Sequence, residues 1–212
     1  MLREDIDSFM NTIPENVCVV CATKYVDYKG LLELYSHNIK NYGENRVDAF
    51  LEKYEALKDY KDIKWHFIGH LQRNKAEAVI NKIDVLHSLD SLKLAKLIDE
   101  KREKPLDCFI EVSINLEESK NGVPYMDINP FMEEVLKYKN INVVGFMMMA
   151  IKNDDSSDIY EQFLKLANLK KDVEKRFNIN IPYLSMGMSN DYEEAIKAGA
   201  THIRLGRILW TN

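Results

Sequence analysis

The chain has 212 residues, 46% of them hydrophobic and 30% charged, the balance of an ordinary globular protein long enough for one sizeable core. Its formal charge of −5, from 29 basic and 34 acidic residues, comes without a basic tract or an arginine-rich face, which argues against nucleic acid as a partner. The start, MLREDIDSFM, is acidic and amphipathic and so reads as neither a secretory signal nor a membrane span; three cysteines without a disulfide framework point to a reducing, cytoplasmic setting.

In chain order, helical and strand periods alternate. Ile6, Phe9, Met10 and Ile13 form a helical stripe over 2–13, ended by Pro14. VCVVCA is a strand; its Cys18 and Cys21 form C-x-x-C, but residues three apart on a strand face opposite sides, so they read as buried structural thiols. Leu31, Leu34 and Tyr35 mark a helix, NIKNYG a short strand, and Val47, Phe50, Leu51 and Tyr54 a helix at i, i+3, i+4, i+7. Then come the strand KWHFIG, the helix LQRNKAEAVI, the strand DVLHSL, a helix on Leu94, Leu97 and Ile98, and the strand DCFIEVSI. A helix on Phe131, Met132, Val135 and Leu136 precedes the strand NVVGFMMM, and the longest helix carries Ile159, Phe163, Leu166 and Val173. IPYLSMG is a strand, NDYEEAIKA a helix stopped by Gly199, and HIRLG the eighth strand.

Alternating βα units require parallel pairing with helices outside, and eight of them predict a single (β/α)8 TIM-type barrel over residues 1–212. The helix at 2–13 is expected to fill the place of the missing last outer helix. An open doubly wound sheet is the rival, but no G-x-G-x-x-G follows the first strand.

In such barrels the chemistry sits at the C-terminal ends of the strands, with phosphate near the last two. Lys24 ends the first strand, where an amine can serve as a Schiff-base nucleophile or stand as a solvated loop charge. In SMGMSND, Gly187 permits close backbone approach and Ser189 offers a hydroxyl beside free helix N–H groups, the ingredients of an anion cradle; Asn190 with Glu193 also fits a helix-capping box. In RLGR, Arg204 and Arg207 flank Gly206. Together these favour a phosphate-bearing ligand. His66 and His70 share no helical face and have no third ligand, so no metal site is expected.

The blocks ATK, YGENRVDAF, WHFIGHLQRNK, EESKNGV and LSMGMSNDYEEAIKAGATHIRLG, in order over about residues 17–208, resemble the pyridoxal phosphate homeostasis protein family. The resemblance implies a barrel like the N-terminal domain of alanine racemase, without that enzyme's second domain. It implies pyridoxal 5′-phosphate (PLP) held as an internal aldimine on Lys24. Ser189 and the backbone at Gly206 and Arg207 would hold the phosphate, Arg204 would approach the pyridine nitrogen, and Asn45 and His66 would line the pocket. A methionine of MMM would lie against the ring, on the face of Met147 and Met149 or that of Met148; Met147 and Ser185 complete the implied cofactor-binding set. Many relatives carry a hydroxyl residue where this chain has Arg207. The Glu117, Glu118 and Lys120 loop would form the rim.

The implied function is a PLP carrier or buffer that exchanges cofactor with PLP-dependent apo-enzymes, as a monomer or weak dimer. An arginine cannot accept the pyridinium proton, so the ring would be a weak electron sink, which disfavours efficient racemase chemistry. A narrow amino-acid racemase is the alternative, with Tyr25 or Tyr42 as a substitute base. A Schiff-base aldolase or sugar-phosphate isomerase would need an acid/base carboxylate, for which only Glu44 and Asp27 stand near the lysine. Glu44 at a helix start is explained by charge complementarity.

Overall fold

In the computed structural model, which describes residues 1–114, 121–151 and 155–210, the first strand hydrogen-bonds to the last. β1 (Cys18–Ala22) is followed by β2 (Asn41–Glu44), β3 (Lys64–Phe67), β4 (Val85–Leu89), β5 (Leu106–Ser113), β6 (Val123–Pro124), β7 (Ile141–Met147), β8 (Tyr183–Met188) and β9 (His202–Leu205). All of these pairings are parallel. Pairing of β4 with β5 and of β1 with β9 closes eight strands into a barrel, and the two-residue β6 hangs on the end of β5. The expected closed barrel is the observed one.

Helices α1 (Ile6–Met10), α2 (Tyr28–Ser36), α3 (Val47–Leu57), α4 (Arg73–Ala76), α5 (Leu92–Lys101), α6 (Ile128–Val135), α7 (Ser156–Phe177) and α8 (Tyr192–Lys197) separate the strands. Their apolar stripes meet the outward faces of the strands in one large core that includes Leu31, Phe50, Leu94, Met132 and Phe163. Local chemistry starts several of them: Asp27 accepts from the Lys29 and Gly30 N–H groups at α2, Ser91 from Leu94 at α5, and Asp155 from Asp158 at α7. The N-terminal segment closes the seam between chain ends. The Arg3 N–H donates to the Leu209 carbonyl at 3.0 Å, Leu2 bridges to Trp210, and Phe9 packs edge-on against Tyr192 of α8.

Some expected boundaries move, each for a local reason. The strand expected over 38–43 begins at Asn41, because Asn38 takes a left-handed conformation (φ 60°) and residues 38–39 bond back to the last turn of α2. The helix expected over 71–80 stops at Ala76. Beyond it Asn81 is tied to Lys101 and Glu103, and the Arg102 guanidinium donates to the Ile80 carbonyl, which holds this stretch against the end of α5. α8 begins after Asp191 without a side-chain cap, so the Asn190–Glu193 capping box is not formed. The helix expected over 2–13 is limited to Ile6–Met10. Among the described residues no helix is long and apolar enough to cross a membrane.

The barrel interior differs from the outer layer. Apolar packing inside is a small cluster of Phe109, Val144 and Met147, while His66, His87, Ser185 and Arg204 are polar and buried. Gly145 lets β7 and β8 approach: a Cβ there would stand 1.9 Å from the Tyr183 carbonyl oxygen. Gly145→Ala should therefore lower unfolding stability by about 3 kcal/mol or more, read from the denaturation midpoint. An unchanged midpoint would contradict the tight β7–β8 contact.

Candidate functional site

Where β1, β8 and β9 end, their loops enclose a cleft of about 430 Å³. Lys24, Ser189, Arg204, Gly206 and Arg207 line it together with Tyr25, Met188 and Asp191. The cleft lies at the C-terminal ends of parallel strands, where the barrel rule puts chemistry. Register explains the meeting of residues so far apart in sequence: Cys21 pairs with Leu205, so the chain leaving β1 at Lys24 runs beside the chain leaving β9 at Gly206.

The third side comes from an irregularity in β8. Ser185 pairs with His202 and Met188 with Arg204, so β8 carries one extra residue there. Gly187 takes φ +91° in this bulge, and a Cβ on it would come within 2.6 Å of the Ala195 side chain. The bulge delivers Ser189 to the mouth, where its hydroxyl accepts from the N–H groups of Gly206 (3.2 Å) and Ile208 (3.5 Å). Two backbone donors and a hydroxyl thus converge on one point, with the exposed Arg207 at the rim. That donor set suits a phosphate. It stands at the turn after β9, where the resemblance put the backbone of Gly206 and Arg207, with the Ile208 N–H as the second donor; the free N–H groups of α8, the other place read from the sequence, are not part of it.

Lys24 is exposed, and its amine lies 4.7 Å from the centroid of the Tyr25 ring. Its backbone is anchored from behind. Thr23 is buried, its hydroxyl bonds to a Glu44 carboxylate oxygen at 3.1 Å, and its carbonyl accepts from the Lys53 amine at 2.7 Å. Lys53 also forms an ion pair with that carboxylate, and the other carboxylate oxygen accepts from the Asn45 N–H at 2.8 Å. Glu44 and Lys53 are buried, so the pair acts in a weakly screened environment. Glu44 therefore fixes both the residue before Lys24 and the backbone of Asn45; reading it as a helix-start charge missed this. The Glu44–Lys53 spacing in the sequence carried no sign that the lysine turns inward. The Asn45 side-chain oxygen is buried without a hydrogen-bond partner among the described residues; Asn45 packs against Gly69 and is not among the residues that line the cleft.

Arg204 forms the floor. Its guanidinium is buried and donates to the Ser185 hydroxyl at 2.7 Å and to the Met148 carbonyl at 2.9 Å. Burial pushes its pKa down to about 10, with Asp191 and Glu111 pulling the other way, so it stays a cation at neutral pH. Glu111 on β5 is pushed up to about 7 by burial and by Asp90, against the opposing pull of Arg204 and His70. This carboxyl was not among the residues singled out from sequence; its place in a buried strand marked it only as core.

The expected set divides. Lys24, Ser189, Arg204, Gly206 and Arg207 meet in the cleft. Ser185 lies behind Arg204, fully buried. Met147 packs in the interior cluster, Met148 is buried in the outer core, and Met149 is exposed beyond the strand end. His66 is placed near the opposite mouth: it bonds Asn41, the first residue of β2, and lines a separate cavity of about 610 Å³ with His202. It pairs with Val85, the first residue of β4, which places it low in the barrel, whereas His70 reaches the upper rim and pairs with Asp90 at 2.9 Å. Tyr42 is fully buried and donates to the Leu31 carbonyl, which makes it a packing residue. Cys18 and Cys21 diverge as expected: Cys18 lines the lower cavity, Cys21 sits in the outer core, and burial pushes both thiols up. Glu117, Glu118 and Lys120 lie outside the described residues.

Known proteins share this architecture and sequence. The alanine racemase N-terminal domain family matches residues 2–211. A pyridoxal phosphate homeostasis protein of Aquifex aeolicus (strain VF5) is 41% identical over 192 residues, 89% of this chain and 84% of its own length. One from Synechocystis sp. (strain ATCC 27184 / PCC 6803 / Kazusa) is 35% identical over 202 residues, 94% of this chain and 93% of its own length. The chain belongs to the pyridoxal phosphate homeostasis protein family. Among solved structures, PipY of Synechococcus elongatus PCC7942 with PLP bound is similar to this family member with a TM-score of 0.91 and 25% identity, covering 98% of this chain and 99% of PipY. Alanine racemase of Clostridium difficile 630 shares the fold, with a TM-score of 0.80 at 15% identity over 100% of this chain and 58% of the enzyme.

Two predictions follow from the buried charges of this family member. Lys53→Met leaves Glu44 without its buried partner and should cost about 3–5 kcal/mol of stability, while Lys53→Met combined with Glu44→Gln should recover much of the loss. Additive effects in a denaturation double-mutant cycle would show that the pair is not coupled. Because its folded pKa is raised, Glu111 keeps a proton in the folded protein that the unfolded chain has already lost between the ordinary carboxyl range and about 7. Stability should therefore fall as pH rises through that window, and Glu111→Gln should remove this part of the slope. Parallel midpoint-versus-pH profiles for the two proteins would contradict it.

Proposed function

We propose that the chain binds pyridoxal 5′-phosphate in the upper cleft as a Schiff base on Lys24 and serves cellular PLP homeostasis as a carrier and buffer rather than as an efficient enzyme. The observation that carries this reading is the meeting of the Lys24 amine with the Ser189, Gly206 and Ile208 donor set in one cleft, closed below by a buried arginine. Family membership and the PLP-bound PipY structure support it.

When bound, the cofactor supplies an aldehyde that condenses reversibly with an amine. The Lys24 nitrogen would be the amine that takes the aldehyde carbon as an imine, with the aldehyde oxygen released as water. The backbone donors and Ser189 would hold the phosphate, and Glu44 fixes the backbone of Asn45 at the end of β2. Arg204, held by Ser185 and the Met148 carbonyl, would present its cation to the pyridine nitrogen. It could donate there but not take the nitrogen's proton, which would keep the ring a weak electron sink. An exposed Lys24 suits exchange with other amines, including the lysines of PLP-dependent apo-enzymes. Tyr25 follows Lys24 in the same loop and lies against its amine, so the two do not face each other across a ring as opposed bases would.

Titration with PLP should give a near-visible band in the wild type and none in Lys24→Ala. Ser189→Ala should weaken binding about tenfold or more, as expected for a lost hydrogen bond to a charged group. A band that persists in Lys24→Ala would overturn the attachment. Deuterium exchange at the α-carbon of amino acids should be negligible; rapid labelling would favour the racemase instead.

A further inference from the structure

A string of hydrogen bonds runs through the barrel interior from Arg204 to the opposite mouth. The Arg204 guanidinium donates to the Ser185 hydroxyl (2.7 Å), that hydroxyl meets His87 Nδ1 (2.8 Å), His87 Nε2 meets His66 Nδ1 (2.9 Å), and His66 Nε2 meets Asn41 Oδ1 (3.1 Å). Ser185 and His87 are fully buried and His66 nearly so, on strands that are far apart in sequence. Among the described residues no carboxylate hydrogen-bonds to the Arg204 guanidinium; Asp191 and Glu111 act on it only electrostatically.

Burial holds both imidazoles neutral: His66 is pushed down to about 3, and His87 well below its usual value. A neutral imidazole has one donor and one acceptor, so the string has two possible directions. In one, Asn41 Oδ1 accepts from His66 Nε2–H, His66 Nδ1 accepts from His87 Nε2–H, and His87 Nδ1 accepts from the Ser185 hydroxyl. Every dipole then points its negative end toward the guanidinium. In the other direction, both rings carry the proton on Nδ1, and positive ends face a buried cation. Electrostatics in a weakly screened interior selects the first.

We propose that Ser185, His87, His66 and Asn41 form a one-directional string that orients and stabilises the Arg204 cation in place of a carboxylate counter-ion, making them positioning residues for the group that faces the cofactor's pyridine nitrogen. The role toward the cofactor rests on the function proposed above; the string itself does not.

Histidine-selective nitrogen NMR of the cofactor-free protein at neutral pH tests the string directly. His66 and His87 should both appear as neutral Nε2–H tautomers. An Nδ1–H tautomer or a protonated ring at either position would overturn it, and no substitution is needed for this measurement. Asn41→Leu removes the terminal acceptor at the far mouth, and the Arg204 guanidinium protons should then exchange with solvent about tenfold faster, the equivalent of one lost hydrogen bond. Unchanged exchange would overturn the coupling along the string. With PLP bound at full occupancy, Ser185→Ala should shift the near-visible absorption maximum, which lost stability alone leaves in place. An unmoved maximum would overturn the role toward the cofactor. Correct tautomers and exchange in a protein that takes up no PLP would leave the string standing and defeat the proposed function instead.

Discussion

The seam between β1 and β9 is the contact on which the rest depends. Four residue pairs, from Cys18 with His202 to Cys21 with Leu205, join the first strand of the barrel to the last. This pairing turns a row of βα units into a closed wall and removes both sheet edges. It also brings the beginning and end of the chain to one place, so that Lys24 stands beside Gly206 and Arg207 although about 180 residues separate them. The N-terminal segment reinforces the same seam, through Leu2 with Trp210 and Phe9 with Tyr192. Loss of that closure would take away the wall and the cleft together.

The chain places polar groups where a parallel barrel ordinarily packs aliphatic layers. Its apolar burial lies mainly between the sheet and the helices, while a line of histidine, serine and arginine occupies the interior. Buried polar groups are costly unless each finds a partner. Here the partners are supplied from several strands at once, so the interior holds together only in the closed register. The buried Glu44–Lys53 pair follows the same logic at the edge of the cleft. An ion pair of this kind adds little net stability over an apolar replacement, but it fixes geometry. What it fixes is the backbone of Thr23, the residue before Lys24, and of Asn45 at the end of β2.

Much of this was legible in the sequence because periodicity and topology are local and regular. Alternating helical and strand periods predicted eight strands, and the rule that barrel chemistry sits at strand ends brought Lys24, Ser189, Arg204, Gly206 and Arg207 to one mouth. Depth along a strand was not legible. His66 belongs to a strand that leads to the site, but its register opposite Val85, the first residue of β4, sets it near the other mouth; Met147, the last residue of β7, turns into the interior against Phe109 and Val144. Ser185, in the implied cofactor-binding set, is fully buried and accepts from Arg204, while the bulge at Gly187 carries the later residues of β8 to the mouth. Glu44 looked like an ordinary helix-start charge, since nothing in the spacing to Lys53 shows a lysine folding back under a strand end. The helix expected over 71–80 ended early through side-chain bonds from Asn81 and Arg102, which no periodic pattern encodes.

The central claim is that one amine, that of Lys24, carries the cofactor. It is tested most directly by reducing the PLP-loaded protein with borohydride and mapping the modified peptide by mass spectrometry. A single pyridoxyl group on Lys24 is the predicted result. Modification of another lysine, such as Lys53 or Lys29, or label spread over the surface with Lys24 untouched, would contradict the account at its centre.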